Sequence, residues 1–198
     1  MTNQSHYPSY NVMDEQNEWD AHTRSIVNAR LLRENRYRYI TPLEAETLRA
    51  WCSLLMDDSR GDIIGYVLSH IDEVLAKGQG EGNREKNVPE IRTLVRNGLE
   101  AIDETGWIHS SKPFFELDSA NKRLIMQQIA SNEYPNTEKW DGVPQKALFQ
   151  KLLQFSIEAY YSHPLIWSEI GYGGPAYPRG YVRADLGHLD PWEAVKEP

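Results

Sequence analysis

Residues 159–181, AYYSHPLIWSEIGYGGPAYPRGY, set Tyr160, Tyr161, Trp167, Tyr172, Tyr177 and Tyr181 among Gly171, Gly173, Gly174 and Gly180 and among Pro164, Pro175 and Pro178. Glycine opens backbone angles closed to other residues, and proline fixes φ and removes a donor. A stretch punctuated in this way predicts an irregular segment and no regular element. Its rings carry large apolar area with a polar tip, which suits an ordered, half-buried surface more than a disordered linker. The expectation is a long ordered aromatic, glycine- and proline-rich C-terminal loop that packs on its own domain, on a partner, or on both.

Upstream of this loop, apolar residues recur at helical spacing in six segments. The first covers about Trp19 to Asn35, with His22, Ile26, Ala29, Leu31 and Leu32 on one face. The second, Pro42 to Met56, has Thr41 as cap, Pro42 at the first helical position and Glu44 where a capping box places its acid. A third spans about Asp62 to Lys77. After a glycine-rich loop, Lys77 to Asn87, a fourth starts from an Asn87 cap and runs to about Glu104, with Gly106 placed to end it. Trp107 to Leu117 reads as a connector anchored by its own aromatic rings. The fifth helix, Ser119 to about Ala130, takes Asp118 as cap, and the sixth runs from about Pro144 to Tyr161. No β region and no repeat emerge. The fold class expected is all-α: a single irregular helical domain with about six main helices over residues 19–198, preceded by a polar tail, 1–18, without a core of its own, for which wrapping around a partner and simple disorder are both open.

Charge and cysteine usage narrow the function. A net charge of −8 argues against nucleic acid and against an anionic membrane surface. Arg30, Arg33, Arg36 and Arg38 read as a solvated helix face. The single cysteine, Cys52, excludes an intrachain disulfide and any multi-cysteine metal site, and its apolar neighbours assign it to packing. No run is long and apolar enough for direct membrane insertion. The first residues lack the basic start and apolar core of a secretory signal, so a cytoplasmic location is expected, with periplasmic delivery by co-export or after processing as the alternative.

Motifs for chemistry are weak. GYGG at Gly171 follows a helix and lacks the strand–loop–helix setting of a phosphate cradle. His163, Glu169, Asp185 and His188 have no spacing that fixes a metal geometry, Asp57 and Asp58 read as a solvated helix stop, and His109 with Ser110 lacks a third group. No residue is therefore expected to be catalytic, cofactor-binding or metal-binding. Two other function classes stay open: an independent helical protein-binding or structural domain, and a metal-dependent hydrolase built on His163, Glu169 and His188.

PLEAETLRA from Pro42, the GW at Gly106 with FFEL after it, RLIMQQIA from Arg123, and above all YYSHP followed by WSEIGYGGPAYPRGY resemble the gluconate 2-dehydrogenase subunit 3 family over Ile40 to Trp192. The resemblance implies a non-catalytic small subunit that assembles with a FAD-containing large subunit of the glucose-methanol-choline type, oxidising a sugar, glycoside or sugar acid. It implies no cofactor in this chain, FAD in the partner, and a cytochrome or other electron acceptor downstream. Rigid tyrosine and tryptophan rings and fixed arginines suit partner pockets. Tyr161, His163, Trp167, Tyr172, Tyr177, Arg179 and Tyr181 are therefore expected to form or brace that contact.

Overall fold

The computed structural model describes residues 5–32, 36–78, 86–183 and 185–196. In chain order it contains a 3-10 turn Val12–Glu18, α1 (Ala21–Ala29), α2 (Pro42–Met56), α3 (Gly61–Lys77), α4 (Ile91–Ser110), a 3-10 turn Phe114–Glu116, α5 (Ser119–Ser131), a 3-10 turn Glu138–Trp140, α6 (Gln145–Tyr160) and α7 (Pro164–Ile170). No strand occurs among the described residues, so the chain is all-helical. Its helices fall into two compact units. One is residues 34–160, the other joins the two chain ends, residues before 34 and after 160.

The 34–160 unit follows from its local signals. Thr41 Oγ1 accepts from the Glu44 N–H at 3.3 Å while Glu44 Oε2 accepts from the Thr41 N–H at 2.6 Å, which satisfies two orphan donors where α2 begins. Asp118 likewise caps α5 through the Asn121 N–H at 2.9 Å. Helix α6 lies against α2, α3, α4 and α5. The core it helps to enclose includes Leu48, Trp51, Leu68, Ile71, Leu99, Ile102, Ile129, Leu148 and Leu152, all buried. Each such side chain contributes roughly 1.5–3 kcal/mol through its burial. Gly98 sets the approach of α4 to α6, since a Cβ there would stand 2.4 Å from Leu148 Cδ1. Cys52 is buried beside Ser156 Oγ at 3.3 Å, and burial pushes its thiol up to about 12.

Three local expectations fail in this unit. Gly106 does not end α4, which continues to Ser110; a Cβ at Gly106 would lie 2.5 Å from the Phe114 backbone nitrogen, so this glycine lets the returning chain pack on the helix. The αL cap falls on Ser111 instead (φ 54°), and Trp107 becomes an exposed helical residue. At the other end Asn87 is no cap: its φ is 72°, and Ile91 is the first helical residue. Asp57 does stop α2, but Asp58 turns inward, taking Arg60 at 2.6 Å and the Tyr160 hydroxyl at 2.9 Å. Burial opposes its ionisation, and the hydrogen bonds from Arg60 and Tyr160 outweigh that effect, so its pKa falls below the usual aspartate value. Asp72 escapes any sequence pattern. Buried in α3, it accepts from the Arg38, Tyr39 and Ile40 N–H groups at 2.7, 2.8 and 2.9 Å and so fixes the chain that enters α2. Residues 79–85 of the expected loop, Arg33 of the arginine set and residues 1–4 of the expected tail lie outside the described residues.

The unit made from the chain ends departs further from expectation. Its first helix is only Ala21–Ala29, capped by Asp20, with Ile26, Leu31 and Leu32 exposed and Val27 buried. The six expected main helices become seven among the described residues, because Pro164–Ile170 is helical inside the stretch expected to be irregular.

Candidate functional site

All seven residues expected at a partner contact belong to the unit of the chain ends. His163 opens α7: its Nδ1 accepts from the Leu165 N–H at 3.2 Å, and Pro164 stands at the first helical position, where its missing donor costs nothing. The same proline that reads as a breaker from one side thus reads as a starter from the other. Helix α7 is too short to show periodicity, which is why sequence pattern missed it. It closes on Gly171, with the Tyr172 N–H reaching back to the Trp167 carbonyl at 2.8 Å.

Trp167 is the hub. Only 6% exposed, it clusters with Val12, Trp19 and Val27, and its Nε1 donates to the Tyr161 carbonyl at 2.6 Å. The Tyr172 ring meets it edge-on, centroids 5.4 Å apart, and the Arg30 guanidinium lies 5.3 Å from its centroid while donating to the Ser162 carbonyl at 2.9 Å. One buried ring therefore fixes the backbone on both sides of α7.

Residues from the expected tail complete this cluster. Val12 is fully buried, its N–H donates to Ser168 Oγ at 3.1 Å, and Ser5 Oγ donates to the Glu169 carbonyl at 2.8 Å. The Tyr10 hydroxyl donates to the Trp192 carbonyl at 2.8 Å; burial, aided by nearby Glu15, pushes that phenol up to about 12, so it stays a donor above the ordinary tyrosine range. A segment without a helical stripe has gained a core by borrowing one from the far end of the chain. Close approach at Gly174 makes this fit work: its φ is 78°, and a Cβ there would lie 2.8 Å from the Trp19 ring.

Beyond Gly174 the chain is held by side chains in place of a helix. Arg179 donates through Nη2 to the Gly173 carbonyl and stacks over Trp192, 4.4 Å from its centroid. Burial lowers its pKa, while Glu15, Tyr10, Glu18 and Tyr172 act in the opposite sense. Asp190, buried, accepts from the Val182 and Arg183 N–H groups at 2.8 and 2.7 Å, and its own N–H donates to Glu193 Oε2 at 2.7 Å. Neither Asp190 nor Trp192 was expected to matter. The signal that marks them is the Asp190-Pro191 dipeptide, a turn initiator.

The seven residues separate into two kinds. Tyr161, Tyr172, Tyr177 and Tyr181 are 51%, 42%, 71% and 63% exposed, with Val182 beside them at 62%. His163 and Trp167 are buried, and Arg179 is half-buried; these three hold the backbone that carries the exposed rings. For the metal-enzyme alternative, His163 is committed to capping α7, and the described residues contain no group of three or more His, Cys, Asp or Glu placed to hold a metal ion. No described helix is long and apolar enough to cross a membrane.

Comparison with known protein families matches residues 42–174 to gluconate 2-dehydrogenase subunit 3. That span is narrower than the resemblance expected from sequence, taking in α2 to α7 and stopping at Gly174, before Tyr177, Arg179 and Tyr181. Neither the comparison with curated proteins nor that with solved structures gave a match. The chain belongs to the gluconate 2-dehydrogenase subunit 3 family and is a non-catalytic accessory subunit of a sugar dehydrogenase.

Proposed function

We propose that this subunit assembles with a FAD-containing large subunit of the glucose-methanol-choline type, and that the exposed rings of Tyr161, Tyr172, Tyr177 and Tyr181 enter that interface. His163, Trp167 and Arg179 brace it from behind. The observation that carries the reading is the pairing of exposed tyrosines with a backbone pinned by partly buried ties: Trp167 Nε1 to Tyr161, Arg179 to Gly173, Asp190 to Val182 and Arg183. Rings held in place lose little conformational freedom on binding, so their apolar area converts efficiently into affinity.

On this reading the chemistry is the partner's, on a sugar, glycoside or sugar acid. The flavin there accepts the hydride, and a cytochrome or another acceptor takes the electrons onward. This chain contributes a surface that keeps the large subunit assembled. Its working location is the cytoplasm, with co-export to the periplasm as the alternative.

The test is co-expression with a FAD-containing large subunit of that type and purification through a tag on this chain. Retention of a yellow flavoprotein with sugar:acceptor oxidoreductase activity is the expected result. Replacing Tyr177 and Tyr181 together by alanine is expected to cut the retained flavoprotein about tenfold or more, a loss typical of central aromatic anchors. A colourless chain that retains no partner would favour an independent helical binding domain, and unchanged retention by the double variant would remove these two rings from the interface.

A further inference from the structure

The 34–160 unit carries a second feature that the proposed interface does not use. Between α2 and α4 runs a groove of about 640 Å³, lined by Leu43, Glu44, Thr47 and Leu99, by Glu100, Asp103, Glu104 and Trp107, and by Lys139 from the 3-10 turn Glu138–Trp140. Its rim is apolar and open to water: Leu43 is 56% exposed and Trp107 54%. Large apolar side chains gathered at the edge of one groove mark an interaction site more often than isolated ones do.

The charge around the groove is one-sided. Glu44 pairs with Arg96 at 3.1 Å and Glu100 with Lys139 at 3.1 Å. Asp103 and Glu104 have neutral partners: Asp103 accepts from the Phe114 N–H and the Trp107 Nε1, Glu104 from the Thr137 hydroxyl. Two carboxylates thus stand beside the exposed indole without a cation among the described residues. Below them Thr47 is 1% exposed, and its hydroxyl has no hydrogen-bond partner among the described residues. A buried hydroxyl left unpaired under an apolar groove is a group that an occupant can satisfy.

We propose that this groove docks a segment of another protein that presents an arginine or lysine beside apolar side chains. The cation lies against Trp107 within reach of Asp103 and Glu104, where ring and carboxylates attract it together. The apolar neighbours cover the exposed side chain of Leu43. The complementarity of charge selects this occupant over an acidic or purely apolar one.

The experiment titrates the intact chain with two short capped peptides, one alternating leucine with arginine and the other leucine with glutamate, followed by calorimetry and by tryptophan fluorescence. The arginine peptide is expected to bind at least about tenfold more tightly than its acidic counterpart. Trp107→Ala and Glu100→Lys, both at exposed positions, are each expected to weaken that binding several-fold, with the melting temperature checked to show that the fold persists. Glu158→Lys, an equal charge change on the exposed face of α6, is expected to leave it unaltered. Equal binding of both peptides, or equal loss from Glu158→Lys, would overturn the proposal by reducing the effect to general charge. Self-association of the free chain that Trp107→Ala abolishes would overturn it in favour of a second copy as occupant.

Discussion

The 34–160 unit and the unit of the chain ends are stabilised by different means. In the first, long amphipathic helices bury aliphatic stripes against α6. In the second, helices of nine and seven residues supply Val27 and Trp167 to a small cluster that Val12 and Trp19 complete. Around that small cluster, side chains bonded to distant backbone tie the two ends of the chain together, such as Ser5 to Glu169 and Tyr10 to Trp192. A helix bundle repeats one local rule many times, so losing one contact is shared by its neighbours. A structure tied by single long-range bonds has no such reserve, and each tie governs a segment.

Replacing one buried tryptophan in each unit breaks this comparison most sharply. Trp51 is fully buried against Phe114 and Phe149, and Trp51→Ala is expected to destabilise its unit by about 4 kcal/mol, read as a lower midpoint of denaturation for helices α2 to α6. Trp167→Ala is expected to cost about 3 kcal/mol locally. Limited proteolysis should then cut within residues 5–32 and 172–196 while α2 to α6 stay protected. Loss of protection throughout α2 to α6 in this second variant would show that the two units unfold as one.

A pair of glycines separates close packing from backbone strain within the unit of the chain ends. Both Gly174 and Gly180 have positive φ, 78° and 74°, but an added Cβ meets Trp19 only at Gly174; nothing lies within 4 Å at Gly180. Gly180→Ala is expected to cost about 1 kcal/mol from conformation alone, and Gly174→Ala about 2 kcal/mol or more because the cluster must also shift. Thermal melts of the two variants measure the difference. Equal effects would mean that Gly174 is chosen for its backbone angle and not for contact with the N-terminal residues.

The smallest expected effect tests a tie within the bundle. Burial and the bond to Asp58 push the Tyr160 phenol up to about 12, while Asp58 is held below the usual aspartate value. For Tyr160 the folded pKa exceeds the unfolded one, so its contribution is intact below pH 10 and is lost as pH rises towards 12. For Asp58 the sign is opposite: its contribution is present above the ordinary aspartate pKa and disappears as pH falls through the lowered folded value. Tyr160→Phe is expected to lower stability by about 1 kcal/mol at neutral pH and to flatten the alkaline limb. An unchanged alkaline slope would assign that limb to other phenols, Tyr10 first among them, since it too is raised to about 12.

Most of the bundle was legible in the sequence, and the reason is local. The Thr41–Glu44 capping box, the Asp118 cap and the stripes of α2, α3, α5 and α6 place their helices within a residue or so of expectation, since helix signals lie within a few residues of one another. The errors fell where a distant group overrode a local cue. Gly106 reads as a helix stop, yet the Phe114 backbone packs on it and the helix continues; Asp58 reads as a solvated acid, yet Tyr160 and Arg60 draw it inward.

The sequence by itself determined that the chain is helical, that its family is that of the gluconate 2-dehydrogenase accessory subunits, and that aromatic residues after α6 are its least ordinary feature. Periodicity, caps and an ordered run of motifs carry that much, because each is written in neighbouring residues. Only the tertiary structure decided which of those aromatics brace and which are displayed. Trp167 is buried because Val12 and Trp19 cover it, and Tyr177 and Tyr181 stay exposed on a backbone that Arg179, Trp192 and Asp190 hold. Burial depends on residues far apart in the chain meeting in space, and no spacing within 159–181 encodes the arrival of Val12 and Trp19.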